Sequence, residues 1–202
     1  MFVIVLWYYL SVTFLFFCGG ANMHHKLIRR ISLMLGAITA TIVLFTQSAM
    51  GLEVGANAAD FSLQASDGNT YTLSQFIGEK PVVIAFFPKA FTGGWTIQCK
   101  ALRDSAQEIQ SFDVAYFMAS VDTLETNTAF AIEHQAGFPI LADPSKEMST
   151  AYGVMNERGL DNRWTYYIDV TGTIVKIDKE TNPVTAGKVL TQTMEDLGFP
   201  KK

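Results

Sequence analysis

Cysteine is the scarcest of the chemically useful residues: the 202-residue chain contains two, Cys18 and Cys99. Two thiols exclude a disulfide scaffold and a four-thiolate zinc site, and the absence of any Cys-x-x-Cys argues against a thiol–disulfide oxidoreductase. Histidine is almost as rare. His24 and His25 precede an apolar run, so only His134 lies in the body of the chain, which excludes a His-rich metal site. No metal and no cofactor is expected. Basic charge is also short, with 15 Lys+Arg against 19 Asp+Glu, so nothing resembles the basic stripe of a nucleic-acid binder. Gly93-Gly94 lacks a downstream Gly-Lys-Ser/Thr, which excludes a phosphate loop and leaves the pair as slack before a helix. What the chain does have is 49% hydrophobic and 12% aromatic residues, enough for a packed core and too many for a disordered tail.

Charge divides the chain in two. All 19 acidic residues follow Gly51, whereas Lys26, Arg29 and Arg30 precede it, so the body carries 12 basic and 19 acidic groups. Residues 1–51 read as an N-terminal extension and residues 52–202 as a single domain. His24-His-Lys-Leu-Ile-Arg-Arg30, an apolar run over 31–45 and Ala49-Met50-Gly51 have the layout of a signal peptide, with a mature start at Leu52. Residues 1–18 are apolar at 16 positions and uncharged. Either translation begins at Met23, or the two apolar runs form a membrane hairpin whose basic connection stays in the cytoplasm. Both readings place the domain outside the cytoplasm: exported and periplasmic, or membrane-anchored and facing the periplasm.

In the body, Phe61-Ser-Leu-Gln and Tyr71-Thr-Leu flank Asp67-Gly68-Asn69, the pattern of an N-terminal β-hairpin. The unbroken apolar run Val82–Phe87 predicts a strand buried on both faces, stopped by Pro88. A helix is expected over 95–111, a second buried strand over 114–121 and a helix over 123–136. Asp143-Pro144 opens a short helix reaching Tyr152. A hairpin follows over 165–177, then a helix over 186–197 closed by Gly198. The order ββ, βαβα, ββα implies a mixed sheet covered by helices on both faces, an α/β architecture.

Chemistry concentrates in Phe86-Phe-Pro-Lys-Ala-Phe-Thr-Gly-Gly-Trp-Thr-Ile-Gln-Cys99, where a buried strand gives way to a loop and a helix start. Backbone N–H groups at such a start attract anions and depress the pKa of a thiol placed there. Pro88-x-x-x-Thr92-x-x-[95] resembles the active-site loop of the peroxiredoxins. Val54-Gly-Ala-Asn-Ala-Ala-Asp60-Phe61 resembles that family's opening V-G-x-x-A-P-D-F, with Ala59 replacing proline. Phe138-Pro-Ile-Leu-Ala-Asp-Pro144, Ala151-Tyr-Gly-Val154 and Arg163-Trp-Thr-Tyr-Tyr-Ile-Asp169 resemble F-P-L-L-S-D-P, A-Y-G-V and R-x-T-F-x-I-D. The resemblance covers about residues 52–180 and is nearest to the bacterioferritin-comigratory, or Q-type, branch of the AhpC/TSA superfamily. It implies a thioredoxin-like fold, a peroxide substrate and a thioredoxin-like reductant.

It also implies roles. Thr92 and Arg163 surround a cysteine thiolate at position 95, which attacks peroxide and becomes a sulfenic acid; a resolving cysteine then condenses with it. Position 95 is Trp. An indole offers one N–H donor and no nucleophile, so the family mechanism does not run on the chain as written. Cys99, one helical turn on, fits the resolving position, and is otherwise a half-buried helix thiol or a substitute nucleophile. Three accounts of Trp95 remain. Cys99 replaces the nucleophile; or the fold persists as a catalytically inactive binding or chaperone-like protein; or Trp95 stands for a selenocysteine read from UGA, or for an introduced change. Elsewhere, His134 is expected on a solvated helix face, Trp164 in the sheet or at a pocket rim, and Phe86-Phe87 and Tyr166-Tyr167 in the strand core.

Overall fold

The computed structural model describes residues 52–202; the leader and membrane-hairpin readings of residues 1–51 lie outside the described residues. Among the described residues no helix is long and apolar enough to cross a membrane.

The chain opens with a hairpin of β1 (Ser62–Gln64) and β2 (Thr70–Thr72), antiparallel with Leu63 opposite Tyr71. Its turn is built by the Asp67 carboxylate, which accepts from the Asn69 backbone N–H at 3.1 Å and the Tyr71 hydroxyl at 2.6 Å. Gly68 supplies the φ of +86° that the turn needs.

The main sheet has five strands in the order β5-β4-β3-β6-β7. β3 (Val82–Phe86) runs parallel to β4 (Ala115–Ser120), which runs parallel to β5 (Ile140–Ala142). On its other side β3 is antiparallel to β6 (Thr165–Ile168), which pairs antiparallel with β7 (Ile174–Asp178). Every residue of β3 is buried, as its unbroken apolar run requires for a central strand covered on both faces. Alternation sorts its side chains into two cores. Val83, Ala85 and, just beyond the strand, Phe87 join the cluster under the long helices. Val82, Ile84 and Phe86 join the cluster that includes Phe61, Leu73, Tyr152 and Tyr166. Phe86-Phe87 and Tyr166-Tyr167 are therefore strand core, one residue of each pair on each face.

The helices are α1 (Gly93–Asp104), α2 (Ala106–Gln110), α3 (Leu124–His134), α4 (Glu147–Ala151) and α5 (Ala186–Asp196). α1 and α5 touch closely: a Cβ on Gly187 would lie 2.5 Å from the Ala101 carbonyl oxygen and 2.3 Å from Ser105 Oγ. At the start of α4, the Asp143 carboxylate accepts from the backbone N–H groups of Glu147 and Ser149 at 3.1 and 2.8 Å. That is the helix-opening role expected of Asp143-Pro144.

Four sequence expectations need correction. The helix expected over 95–111 is two helices, broken at Ser105, whose φ of −97° and ψ of 7° leave the α region. It starts at Gly93, so Gly93-Gly94 is the first turn of α1 rather than slack before it. β5 was absent from the expected element order; three residues, Ile140-Leu-Ala142, are too short for periodicity to separate from the loop around them. His134 is not solvated. Its ring lies 4.3 Å from that of Phe130, and its side chain retains 13% of its exposure.

Candidate active site at the start of α1

β3 delivers the chain to Pro88, and residues 88–92 turn it into α1. The loop is pinned at its middle, where the Ala90 N–H donates to Asp122 Oδ2 at 2.8 Å. Asp122 lies in the turn after β4, and its Oδ2 also accepts from the Ser120 hydroxyl at 3.1 Å. Phe91 adopts φ +55°, a left-handed conformation uncommon outside glycine, and its side chain is half exposed. Pro88 is half-buried and Thr92 exposed. Thr92 stands at the N-cap of α1, but its hydroxyl donates back to the Lys89 carbonyl at 3.0 Å and accepts nothing from the free N–H groups of the helix.

Trp95 is in the first turn of α1, its backbone N–H donating to the Thr92 carbonyl at 3.1 Å. Its side chain is fully buried. The indole lies parallel to the Phe87 ring, with centroids 3.7 Å apart and planes 5° from parallel, and Phe130 packs 5.3 Å away. Aromatic pairs with centroids about 4.5–7 Å apart add about 0.5–1.5 kcal/mol beyond the area buried, a range that takes in the Phe130 contact but not the closer, nearly face-to-face Phe87 stack. The polar end is not satisfied: Trp95 Nε1 is buried with no hydrogen-bond partner. A buried orphan donor costs about 1–3 kcal/mol. The slot accepts the ring and gives the N–H nothing.

Arg163 enters from the strand side, two residues before β6. Its Nη1 donates to Gln98 Oε1, and Gln98 is itself buried in the second turn of α1. Its Nη2 lies 3.3 Å from where a Cβ on Gly94 would stand. Gly94 thus lets the guanidinium come down over the first turn. Partial burial pulls the Arg163 pKa below its ordinary value, and the side chain remains a cation beside the exposed N–H groups of the helix start.

Cys99 lies one turn after Trp95 on the same inward face of α1. It is free, fully buried and part of the core cluster under the helices, not half-buried as one reading expected. Burial pushes its thiol up to about 11, with Arg103 opposing. At neutral pH it is a protonated core thiol, away from the helix start.

The structure thus gathers Pro88, Thr92, residue 95 and Arg163 around the beginning of α1, and Cys99 beneath it. Sequence reading missed three contributors. Gln98 holds Arg163; its signal was a polar residue three positions after Trp95, on the inward face of an otherwise apolar stripe. Asp122 holds Ala90; a Ser-x-Asp just past a buried strand was its only trace. Phe130 closes the slot, which no local pattern announces. Trp164 is half-buried against the sheet, with Lys179 Nζ 4.4 Å above its ring.

Comparison with known proteins gives the family and the fold. The AhpC/TSA family model matches residues 54–177. Alkyl hydroperoxide reductase E of Mycobacterium tuberculosis is 39% identical over 126 residues, covering 61% of this chain and 82% of that protein. Peroxiredoxin Bcp of Escherichia coli is 32% identical over 130 residues, covering 61% and 83%. Among solved structures, peroxidoxin BcpB of Mycobacterium tuberculosis superposes with a TM-score of 0.65 at 25% identity, covering 72% of this chain and 98% of that one. A cysteine-to-serine mutant of Xylella fastidiosa PrxQ gives 0.67 at 17% identity, covering 73% and 98%, a likeness of fold. With a five-stranded mixed sheet of thioredoxin-like form and a family match across most of the described residues, the chain belongs to the AhpC/TSA family, as a peroxiredoxin of the Bcp/Q type.

Proposed function

We propose that the start of α1 is a peroxide-reducing site whose nucleophile belongs at residue 95, and that the chain carrying Trp95 is its silent form. The observation that carries this is the unpaired Trp95 Nε1 inside a fully buried aromatic slot, at a helix start where Arg163, Gln98 and the pinned 88–92 loop are all in place. The surroundings supply positive potential from Arg163 and the helix N-terminus, which serves an anion and does nothing for an indole.

With sulfur or selenium at 95, the chalcogenolate attacks the distal oxygen of a hydroperoxide. The O–O bond breaks, the leaving alkoxide takes a proton and departs as alcohol or water, and residue 95 is left as a sulfenic or selenenic acid. Arg163 steadies the attacking anion and the peroxide oxygens, while Pro88 and Thr92 shape the loop from which peroxide enters. Reduction back takes two electrons from a thioredoxin-like protein. Cys99 acts as resolving thiol only if α1 opens, because its sulfur is buried and its proton is held to about 11. The domain would work in an exported setting, in the periplasm or anchored to face it.

A second reading, a catalytically inactive binding or chaperone-like protein, is favoured by the closeness of the Phe87–Trp95 stack. Two measurements separate the readings. The mass of the tryptic peptide containing residue 95 in natively produced protein reports Trp, Cys or selenocysteine, and the codon reports UGG or UGA. Peroxide consumption by Trp95→Cys with a thioredoxin system tests the site: turnover absent in the Trp95 chain and present in the variant is expected. A folded Trp95→Cys that consumes no peroxide sinks the proposal and leaves the inactive reading.

A further inference from the structure

We propose that Asp161, buried against Ser149 at the carboxyl ends of β4 and β5, is a proton-binding latch that holds the 155–163 segment, and with it Arg163, against the start of α1.

Asp161 is fully buried, yet neither of its carboxylate oxygens has a hydrogen-bond partner. The Ser149 hydroxyl of α4, which faces it, is also buried and unpaired. Two buried polar groups left open side by side are rare in folded proteins and call for an account. A protonated carboxyl supplies one: it removes the buried charge, and its O–H donates to Ser149 Oγ, which pairs two of the three open atoms and leaves a neutral carbonyl oxygen as the third.

The surrounding charges favour that proton. From the β5–α4 turn comes Asp143 and from the β4–α3 turn Asp122, both of which disfavour an ionised Asp161. Lys146, at the N-cap of α4, is the cation that opposes them, and Ser149 acts in the same sense. On the segment itself, Glu157 and Arg158 are exposed, and Arg163 is committed to Gln98. Burial dominates, and it carries the Asp161 pKa up to about 7.

The link to the site is the backbone. Asp161 forms an isolated bridge with Met155, the Asn162 N–H donates to the Val154 carbonyl at 2.7 Å, and the Asn156 N–H to the Leu160 carbonyl at 2.8 Å. Residue 163 follows directly, so a segment lifted to hydrate an ionised Asp161 takes the guanidinium off α1. Asp122 serves both places, holding Ala90 in the active-site loop while opposing charge on Asp161.

The sign follows from linkage. A carboxyl whose folded pKa lies above its unfolded value stabilises the fold relative to a neutral side chain least at high pH. The penalty is absent below about pH 4, grows as pH rises towards about 7, and is constant above. Its consequence for chemistry rests on the peroxide-reducing reading; the latch does not.

The test uses the full-length chain labelled with carboxyl-13C aspartate, the Asp161 resonance being assigned with Asp161→Asn. A titration midpoint near 7, with amide exchange across 154–164 accelerating over the same range beyond its intrinsic pH dependence, is expected. Asp161→Asn should abolish that acceleration and raise Tm at pH 8 by more than at pH 4. A midpoint in the ordinary range near 4, or a Tm change equal at both pH values, overturns the latch. So does a calcium-dependent rise in Tm that Asp161→Asn removes, which would assign the carboxylate to a cation. If the variant does not fold, through-bond correlation of the carboxyl carbon to the Asp161 backbone assigns the resonance, and the wild-type titration decides alone. An inactive Trp95→Cys removes the peroxide reading without moving the Asp161 midpoint, so the two failures are distinguishable.

Discussion

At the scale of single residues, the chain sets a favourable ring against an unfavourable donor at position 95. The full burial of Trp95 and its contact with Phe130 favour the indole, while its unpaired Nε1–H opposes it. Trp95→Phe keeps a ring in the slot and removes the orphan, so it should leave stability within about 1 kcal/mol of the parent, with either sign. By chemical denaturation, a loss of more than about 3 kcal/mol would mean that Nε1 has a partner and the mismatch is not real. Cys99 gives an independent check. A buried thiol held to about 11 should resist alkylation at pH 8 in the native protein and react quickly once unfolded in urea. Fast native labelling would place Cys99 in a reactive setting and reopen its claim as a substitute nucleophile.

At the scale of elements, what was legible in the sequence depended on length and on glycine. β3 was plain because five consecutive apolar residues have no other comfortable place than a sheet centre. The hairpin over 62–72 was plain because Asp67-Gly68-Asn69 is turn chemistry. β5 was illegible because three residues carry no period, and it is placed by pairing with β4, a contact outside its own sequence. The bend at Ser105 was illegible for a related reason. It is imposed by α5, which crosses so closely at Gly187 that the Ala101 carbonyl and Ser105 side chain sit where a Cβ would be. Gly187→Ala should therefore cost about 1–3 kcal/mol through overpacking, against the gain in helix propensity that alanine gives elsewhere. A stabilised Gly187→Ala, read from the urea midpoint, would mean the two helices separate freely and the break at Ser105 has another origin. Of the candidate site, Pro88 and Thr92 are legible in one spaced motif and Arg163 in another, whereas Gln98 and Asp122 are not, because their partners lie far along the chain.

At the scale of the whole molecule, the sheet is roofed by aromatic residues whose polar ends are sealed inside. Tyr116, Tyr152, Tyr166 and Tyr167 are all buried. Tyr152 and Tyr166 spend their hydroxyls on the carbonyls of Ala59 and Tyr152, at 2.9 and 2.6 Å, and Tyr116 donates to the Met118 sulfur at 2.8 Å. Burial raises all four phenols above the ordinary value near 10, Tyr166 to about 12. A group whose folded pKa lies above its unfolded one stabilises the fold fully below the unfolded value. That stabilisation is lost as pH rises from the unfolded towards the folded value. Here the window opens near pH 9, where the Cys99 thiol ionises in the unfolded chain, and deepens above 10 as four unfolded phenols follow. The two faces of one sheet hold these groups, Tyr116 and Tyr167 on one and Tyr152 and Tyr166 on the other, so they cannot be released one side at a time. Alkaline unfolding should accordingly be cooperative. Phenolate absorbance should rise first for the more accessible tyrosines and then in a single steep step, coincident with loss of far-UV circular dichroism. A smooth titration of every tyrosine before the secondary structure is lost would show that the two cores admit hydroxide separately, and that the sheet does not seal them as one body.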